Sequence, residues 1–242
     1  MSKTIKLKRG FDINLAGKPE KKISESSHSE TYALKPTDFI NMSRPKLLVK
    51  EGDTVKAGTA MLYDKMSEGV KYCSPVSGEV VEIKRGEKRK LLEIKILADK
   101  EVVFEKFKTF STSDLANLSK EEALEQMQAG GVWPNIIQRP FGIVANAEDT
   151  PKAIFISAFD TNPLAPDVAF QLGDKEKFFQ AGLDVLRKLT PGKVHLNING
   201  QAEVPQVFAQ ANGVELNKFS GPHPAGNVGV QIHHIDPINK HK

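Results

Sequence analysis

Val49-Lys50-Glu51-Gly52-Asp53-Thr54-Val55-Lys56-Ala57-Gly58, followed further on by Ser74-Pro75-Val76-Ser77-Gly78-Glu79-Val80, decides the fold of the first part of this chain. The glycines supply positive φ at tight turns, where a Cβ would be disfavoured. Working outward, short apolar runs recur at Lys46–Lys50, Ala60–Tyr63, Gly69–Cys73, Glu79–Lys84 and Leu91–Leu97. Between them stand Glu51-Gly52-Asp53, Ala57-Gly58, Ser77-Gly78 and Arg85-Gly86. Strands this short, with Gly turns this frequent, predict a small sandwich or barrel.

Gly-Asp-x-Val-x-x-Gly followed by Ser-Pro-x-x-Gly-x-Val resembles the biotinyl/lipoyl domain, a barrel-sandwich hybrid. That resemblance singles out Lys65, in Asp64-Lys65-Met66, because a carrier lysine must stand at an exposed hairpin tip. One of the two methionines that usually flank such a lysine is missing. The expectation is therefore the same fold used structurally, with a carrier domain fused to an α/β domain as the alternative. Arg85-Gly86-Glu87-Lys88-Arg89-Lys90 joins two of the strands. It reads as a solvated hairpin tip or as a basic contact with an acidic partner or anionic lipid headgroups.

Beyond a polar bridge near Thr109–Ser113 the period changes. Ser119-Lys120-Glu121-Glu122 has the form of a capping box, opening a helix that ends at Gly130-Gly131. Ala153–Phe159 is a continuous apolar run, as expected of a buried central strand. Asp174 is positioned to cap a helix to about Leu189, followed by strand Lys193–Ile198 and helix Gln201–Asn212 with Pro205 in its first turn. Strand Val214–Phe219, a Gly/Pro loop and helix Val228–Ile235 complete the chain. This alternation predicts a Rossmann-like α/β domain with a mostly parallel, doubly wound sheet. Domain boundaries are expected at 1–105 for the barrel-sandwich hybrid and 106–242 for the α/β domain, with the first 30 or so residues packing on the latter.

Composition narrows the function classes. The one cysteine, Cys73, excludes an intramolecular disulfide, a Cys-based zinc site and a Cys₄ iron–sulfur cluster in this chain. It reads as a buried small hydrophobe. Residues 1–100 carry 21 Lys and Arg against 14 Asp and Glu, whereas residues 101–242 carry 13 against 16. A basic part joined to an acidic part suggests two domains with different partners. The longest strongly apolar stretch, Ala153–Phe159, is far short of the roughly 20 residues that span a bilayer. Neither a recognition helix nor basic–aromatic interleaving points to nucleic acid.

In a parallel sheet, three segments share one carboxyl edge, where doubly wound sheets place ligands. They are Asp160-Thr161-Asn162-Pro163-Leu164-Ala165, Asn199-Gly200, and Ser220-Gly221-Pro222-His223-Pro224-Ala225-Gly226-Asn227-Val228-Gly229. Asp160, Asn162, Gly221 and Gly229 mark this strand-end loop, and small residues around His223 and Gly226 would let a ligand approach the backbone. The equal alternative is a set of tight turns with no ligand. Gly-x-Gly-x-x-Gly and the P-loop fingerprint are both absent. His223, His233, His234 and Asp236 lack metal-ligand spacing, so no metal is expected. One of His233 and His234 is expected to pack under the loop, and His195 to be a satisfied core histidine. Trp133, Arg139 and Phe141 lie in an irregular segment that could line a flat apolar cleft or pack on the sheet.

Taken together, these stretches resemble the A-subunit of the sodium-translocating NADH:quinone oxidoreductase. The matching text is Lys8–Ile13 with Ala16-Gly17-Lys18-Pro19, Val49–Gly58, Ser74–Leu91, Ile154–Asp167, Gly182–Leu186 and Gly221–Pro237. Asp-Thr-Asn-Pro-Leu-Ala and Gly-Pro-His-Pro-Ala-Gly are its most specific strings. The resemblance implies a peripheral subunit on the cytoplasmic face of the bacterial inner membrane. Its partners would be the other subunits of the complex, a quinone (ubiquinone or menaquinone), and the membrane surface only indirectly. It implies quinone interaction and docking, with no catalytic residue, flavin, iron–sulfur cluster or metal in this chain. Quinone contact is expected at Trp133, Arg139, Phe141, His223 and Gly226. The C-subunit of the Rnf complex shares the domain plan, but its Cys-rich clusters and glycine-rich cofactor loop are missing here. Members of the family are longer, so Ile238–Lys242 reads as a truncation.

Overall fold

The glycine-punctuated strands close on one another through the backbone of the quoted motif. A computed structural model describes residues 2–17, 19–25 and 27–239; Lys18, and the last residues of the expected truncation, lie outside the described residues. The chain divides into two units, one of residues 1–24, 111–119 and 150–242, the other of residues 25–110 and 120–149. That division is discontinuous, where the sequence suggests a single cut at 105/106.

β1 (Thr4–Lys6) belongs to the first unit. The second unit begins with β2 (Thr31–Leu34), β3 (Pro45–Leu47), β4 (Thr54–Val55), β5 (Ala60–Asp64), β6 (Ser67–Cys73), β7 (Gly78–Arg85) and β8 (Leu91–Ala98). Two antiparallel sheets form, in the orders β2-β8-β7-β4 and β3-β5-β6. Val55, Met61, Leu62, Val80, Ile94 and Ile96 fill the interior. The two halves of the motif are bonded to each other. Gly52 N donates to Val80 O at 2.8 Å, Val80 N to Asp53 O at 2.9 Å, and Gly58 N to Ser74 O at 2.8 Å. Gly52, Gly58 and Gly78 all have positive φ, and a Cβ on Gly78 would stand 1.9 Å from the Leu97 carbonyl oxygen. Ser74 and Ser77 are buried and satisfied: Ser74 Oγ donates to Val76 O, and Ser77 Oγ accepts from Val103 N. This is a barrel-sandwich hybrid.

α1 (Thr112–Asn117) lies in the expected polar bridge and belongs to the first unit. It carries a capping box of its own: Ser111 Oγ accepts from Asp114 N while Ser111 N donates to Asp114. α2 (Lys120–Ala129) returns to the second unit, as does the short hairpin of β9 (Ile137–Gln138) and β10 (Ile143–Val144).

The first unit resumes with β11 (Ile154–Ser157), α3 (Val168–Leu172), α4 (Glu176–Lys188), β12 (Val194–Asn199), α5 (Gln206–Ala209), β13 (Glu215–Ser220) and α6 (Val228–Ile235). Its sheet is parallel, in the order β1-β13-β12-β11. Side chains alternate between faces. Ile156, Leu196, Ile198 and Leu216 pack with Phe179, Val207 and Phe208 of α4 and α5. Phe155 and Phe219 pack on the other face with Ile235 of α6.

Three expectations are corrected. β11 is an edge strand and half-buried, not central, because β1 joins the far side of β13 and no described strand adds beyond β11. The helix expected from Asp174 starts at Glu176, because α3, capped by Asp167, ends at Gly173 (φ +52) and leaves Asp174 in the link. The helix expected over Gln201–Asn212 is one turn, Gln206–Ala209. Pro205 is its N-cap, and a proline disfavours helical backbone at the residue before it.

Candidate functional site

At the carboxyl edge of the parallel sheet, β11 runs into Phe159-Asp160-Thr161-Asn162 and β13 into Gly221–Asn227. The loop folds inward on itself. Gly226 N donates to Thr161 Oγ1 at 3.0 Å, leaving the Thr161 hydroxyl 3.0 Å from His223 Nδ1. Ser157 Oγ lies 3.0 Å from the Gly226 carbonyl oxygen. A Cβ on Gly226 would stand 2.5 Å from Thr161 N, so the space this glycine leaves is filled by the chain's own backbone. Gly221 (φ +119) likewise makes room for Leu7 O, 2.4 Å from where its Cβ would be. Asp12 Oδ1 accepts from His223 N at 3.0 Å. The small residues thus serve close approach within the chain, and Gly229 falls on α6 with open space beside it.

Asp160 and Asn162 form an exposed turn: Asp160 Oδ1 accepts from both the backbone and side-chain nitrogens of Asn162 at 2.8 Å. Partial burial pushes the Asp160 carboxyl up, but these bonds and the nearby His223 outweigh it and hold it below the usual carboxylate range.

Beneath the loop sits a residue that no sequence motif marks. Gln231 of α6 is fully buried. Its Nε2 donates to Ser157 Oγ (2.9 Å) and Ala225 O (3.1 Å), and its Oε1 accepts from Asn197 Nδ2 (2.9 Å). Asn197 Oδ1 in turn accepts from Asn217 Nδ2 (3.0 Å), and Asn217 Oδ1 from Lys3 N (3.1 Å). A polar chain, buried at Asn217, Asn197 and Gln231, therefore runs from Lys3, just ahead of β1, through β13 and β12 to α6 and β11. His195 lies beside it, buried, stacked on Phe155 and 3.3 Å from Asn217 Nδ2, which bears out its reading as a core histidine. Burial pushes its pKa down. His233 and His234 are both exposed, correcting the expectation that one packs under the loop. His234 Nδ1 instead meets Val230 O of its own helix, and Gln231 occupies the buried position. No group of three or more His, Cys, Asp or Glu that could hold a metal occurs among the described residues.

The second unit holds the other candidates. Trp133 is buried and its Nε1 donates to Ala145 O at 2.7 Å, which ties down its irregular segment. Arg139 and Phe141 sit exposed at the tip of the β9–β10 hairpin, Phe141 with 73% of its surface free. Lys65 stands exposed in the two-residue turn between β5 and β6. Asp64 beside it is buried and accepts from the backbone nitrogens of Ser43 (2.6 Å), Met66 (2.9 Å) and Arg44 (3.3 Å). Burial alone would raise the Asp64 carboxyl, yet these bonds hold it below its ordinary value. Cys73 is only half-buried, against the expectation of a buried hydrophobe, and its Sγ lies 3.4 Å from Ala129 O at the end of α2. Burial raises its thiol pKa.

One open groove of about 700 Å³ occurs in the first unit, at the opposite, amino edge of β12 and β13. Its cations are engaged: Lys188 Nζ with Ala116 O, Lys193 with Glu215, and Arg187 3.8 Å from Asp184.

A barrel-sandwich hybrid combined with a parallel α/β unit whose sheet-end loop is closed by its own chain defines a two-part protein lacking the glycine fingerprint for a nucleotide. Residues 5–99 match the NqrA N-terminal barrel-sandwich hybrid domain and residues 118–242 the NqrA second alpha/beta domain. The chain belongs to the NqrA family. It is 40% identical over 238 residues to the A-subunit of the Na(+)-translocating NADH-quinone reductase of Saccharophagus degradans, covering 98% of this chain and 52% of that protein. The proteins of the same name from Alcanivorax borkumensis and Neisseria meningitidis are 39% and 38% identical, with the same coverage. The chain spans about half the length of the curated relatives it matches. No described helix is long and apolar enough to cross a membrane.

Proposed function

We infer that this chain forms the N-terminal part of the A-subunit of a multi-subunit, sodium-translocating NADH:quinone oxidoreductase. The observation that carries this is the match of both domains, in order, together with 40% identity along 98% of the chain. Its role is quinone interaction and docking at the cytoplasmic face of the membrane, with flavin and iron–sulfur chemistry in other subunits. A quinone is a flat apolar ring with two carbonyl acceptors, so it needs an aromatic surface and a few donors. Phe141 and Arg139 offer that pair on one exposed hairpin tip. In the other unit, as a separate candidate, His223 offers a donor of its own: its Nδ1 is engaged by Thr161, leaving Nε2 without a partner among the described residues.

Titration of the full-length protein with a water-soluble quinone, read by amide NMR, tests the site. Shifts at Arg139–Phe141 or His223–Gly226 support it; a saturating titration that moves neither overturns it. Co-purification of a tagged full-length chain from native membranes tests the assignment to the complex, which fails if no other subunit accompanies it. A second reading, a biotinyl/lipoyl-type carrier, is favoured by the exposed position of Lys65 between β5 and β6. The intact mass of the cellular protein separates the two, since only a carrier gains the mass of a prosthetic group.

A further inference from the structure

The hairpin joining β7 to β8 carries four cations and one acid in six residues, Arg85-Gly86-Glu87-Lys88-Arg89-Lys90. Lys90 N donates to Glu87 O at 3.1 Å and Gly86 N to Lys90 O at 2.8 Å, closing a tight turn with Lys88 and Arg89 at its centre. Both central residues are left-handed, Lys88 at φ 51, ψ 30 and Arg89 at φ 60. This is the backbone of a primed hairpin turn, whose central positions favour Asn-Gly because a Cβ is costly there. Two long cationic side chains occupy positions where the turn would be better formed without them. Non-glycine residues held in this region persist where the surroundings or a function require them.

The four cations also outnumber the tip's one acid, Glu87. Lys88, Arg89 and Lys90 are exposed, and no ion pair among the described residues involves them or Arg85. Arg85 turns inward, its Nη1 donating to Arg89 O at 3.1 Å. The six residues include no apolar side chain. Protein–protein interfaces are depleted in lysine and centre on well-packed, desolvated anchors, most often Trp, Tyr or Arg; here there is no aromatic, Arg89 is exposed, and Arg85 donates to the turn's own backbone. A patch of charge alone fits the headgroup plane of an anionic bilayer.

We propose that the Lys88-Arg89-Lys90 tip is a direct contact with anionic phospholipid. This deepens the reading of the protein as a peripheral subunit of a membrane complex, on which it rests. The tip supplies one weak electrostatic attachment, sensitive to salt, that would add to docking on other subunits.

The test is co-sedimentation of the purified full-length protein with vesicles of phosphatidylcholine, alone or with phosphatidylglycerol, at low and physiological salt. The partner variant is Lys88→Asn with Arg89→Gly, which removes two charges and suits the turn, so that lost binding is not lost folding. Selective binding to phosphatidylglycerol, weakened by salt and about thirtyfold weaker in the variant, is expected. Equal binding to both vesicle types, or equal binding by both proteins, overturns the proposal. Loss of the other subunits on co-purification, with vesicle binding intact, assigns the tip to a protein partner and also overturns it. Co-purification by the unaltered chain reports on the assignment to the complex separately, whatever the vesicles show.

Discussion

The loop at Gly221–Asn227 and the hairpin tip at Arg85–Lys90 make opposite use of similar material. Both are glycine-containing connections that read as possible contacts. In the first, glycines admit the chain's own backbone, and the polar groups of Ser157, Thr161 and Gln231 are satisfied within the unit. In the second, glycine is absent from the two positions that favour it, and the cations have no ion-pair partner among the described residues. A loop rich in Gly and Pro is therefore no sign of a ligand until the space beside each glycine is known. Strain carried by charged residues at an exposed turn is the better pointer to an external surface.

The largest test of this contrast is Gln231→Leu. The side chain is fully buried and makes bonds to Ser157, Ala225 and Asn197. Leucine would strand the Ala225 carbonyl and the Asn197 side-chain amide where water does not reach, while Ser157 Oγ keeps Phe159 O and Gly226 O, and such losses cost about 1–3 kcal/mol per group. Partial relaxation brings the expected total to about 3 kcal/mol, read by denaturant unfolding. A loss well below about 1 kcal/mol would show that the loop does not depend on the buried chain.

How much of this was legible in sequence follows from what each feature depends on. The barrel-sandwich motif was readable because its glycines and serines are fixed by local turns and neighbouring backbone: Gly52, Gly58, Gly78, Ser74 and Ser77 act within the motif or one strand away. The period of β12, His195-Leu196-Asn197-Ile198-Asn199, was readable as a strand. That its polar face is buried was not, because α6 covers it and Gln231 completes it from outside the strand. β1 adding beside β13 is a pairing across almost the whole chain, invisible to any local pattern. Trp133 stands out as an aromatic in an irregular segment, yet its role is set by the carbonyl of Ala145 on a different stretch. In Asp64-Lys65-Met66 the lysine attracts the eye, while the carboxylate next to it holds Ser43, Arg44 and Met66.

Asp64 gives a smaller test, placed in acid. Its folded pKa is depressed, so its contribution is fully present above the unfolded value of about 3.9 and is lost as pH falls through the folded pKa. Asp64→Asn removes the charge that strengthens those three backbone bonds. The expected loss is about 1.5 kcal/mol at neutral pH. In strong acid the variant and the unaltered protein should converge, as seen by thermal unfolding across pH. A difference that persists undiminished there would show that shape, not charge, holds this tip.

The smallest effect sharpens the contrast most, because its sign differs. Substitution at a loop that serves its own unit destabilises; substitution at a loop that gives up stability for an outside contact stabilises. Lys88→Asn with Arg89→Gly places the residues a primed turn favours at φ 51 and φ 60. Relief of the left-handed strain, offset in part by the flexibility glycine gives the unfolded chain, is expected to raise stability by about 1 kcal/mol. Loss of mutual repulsion among the tip's cations acts in the same direction, most visibly at low salt. Measured by denaturant unfolding, a gain in stability accompanied by a loss of binding to phosphatidylglycerol vesicles identifies the two cations as kept for the contact. A variant that is less stable than the original would place Lys88 and Arg89 among residues that support their own fold, and the two loops would then be alike.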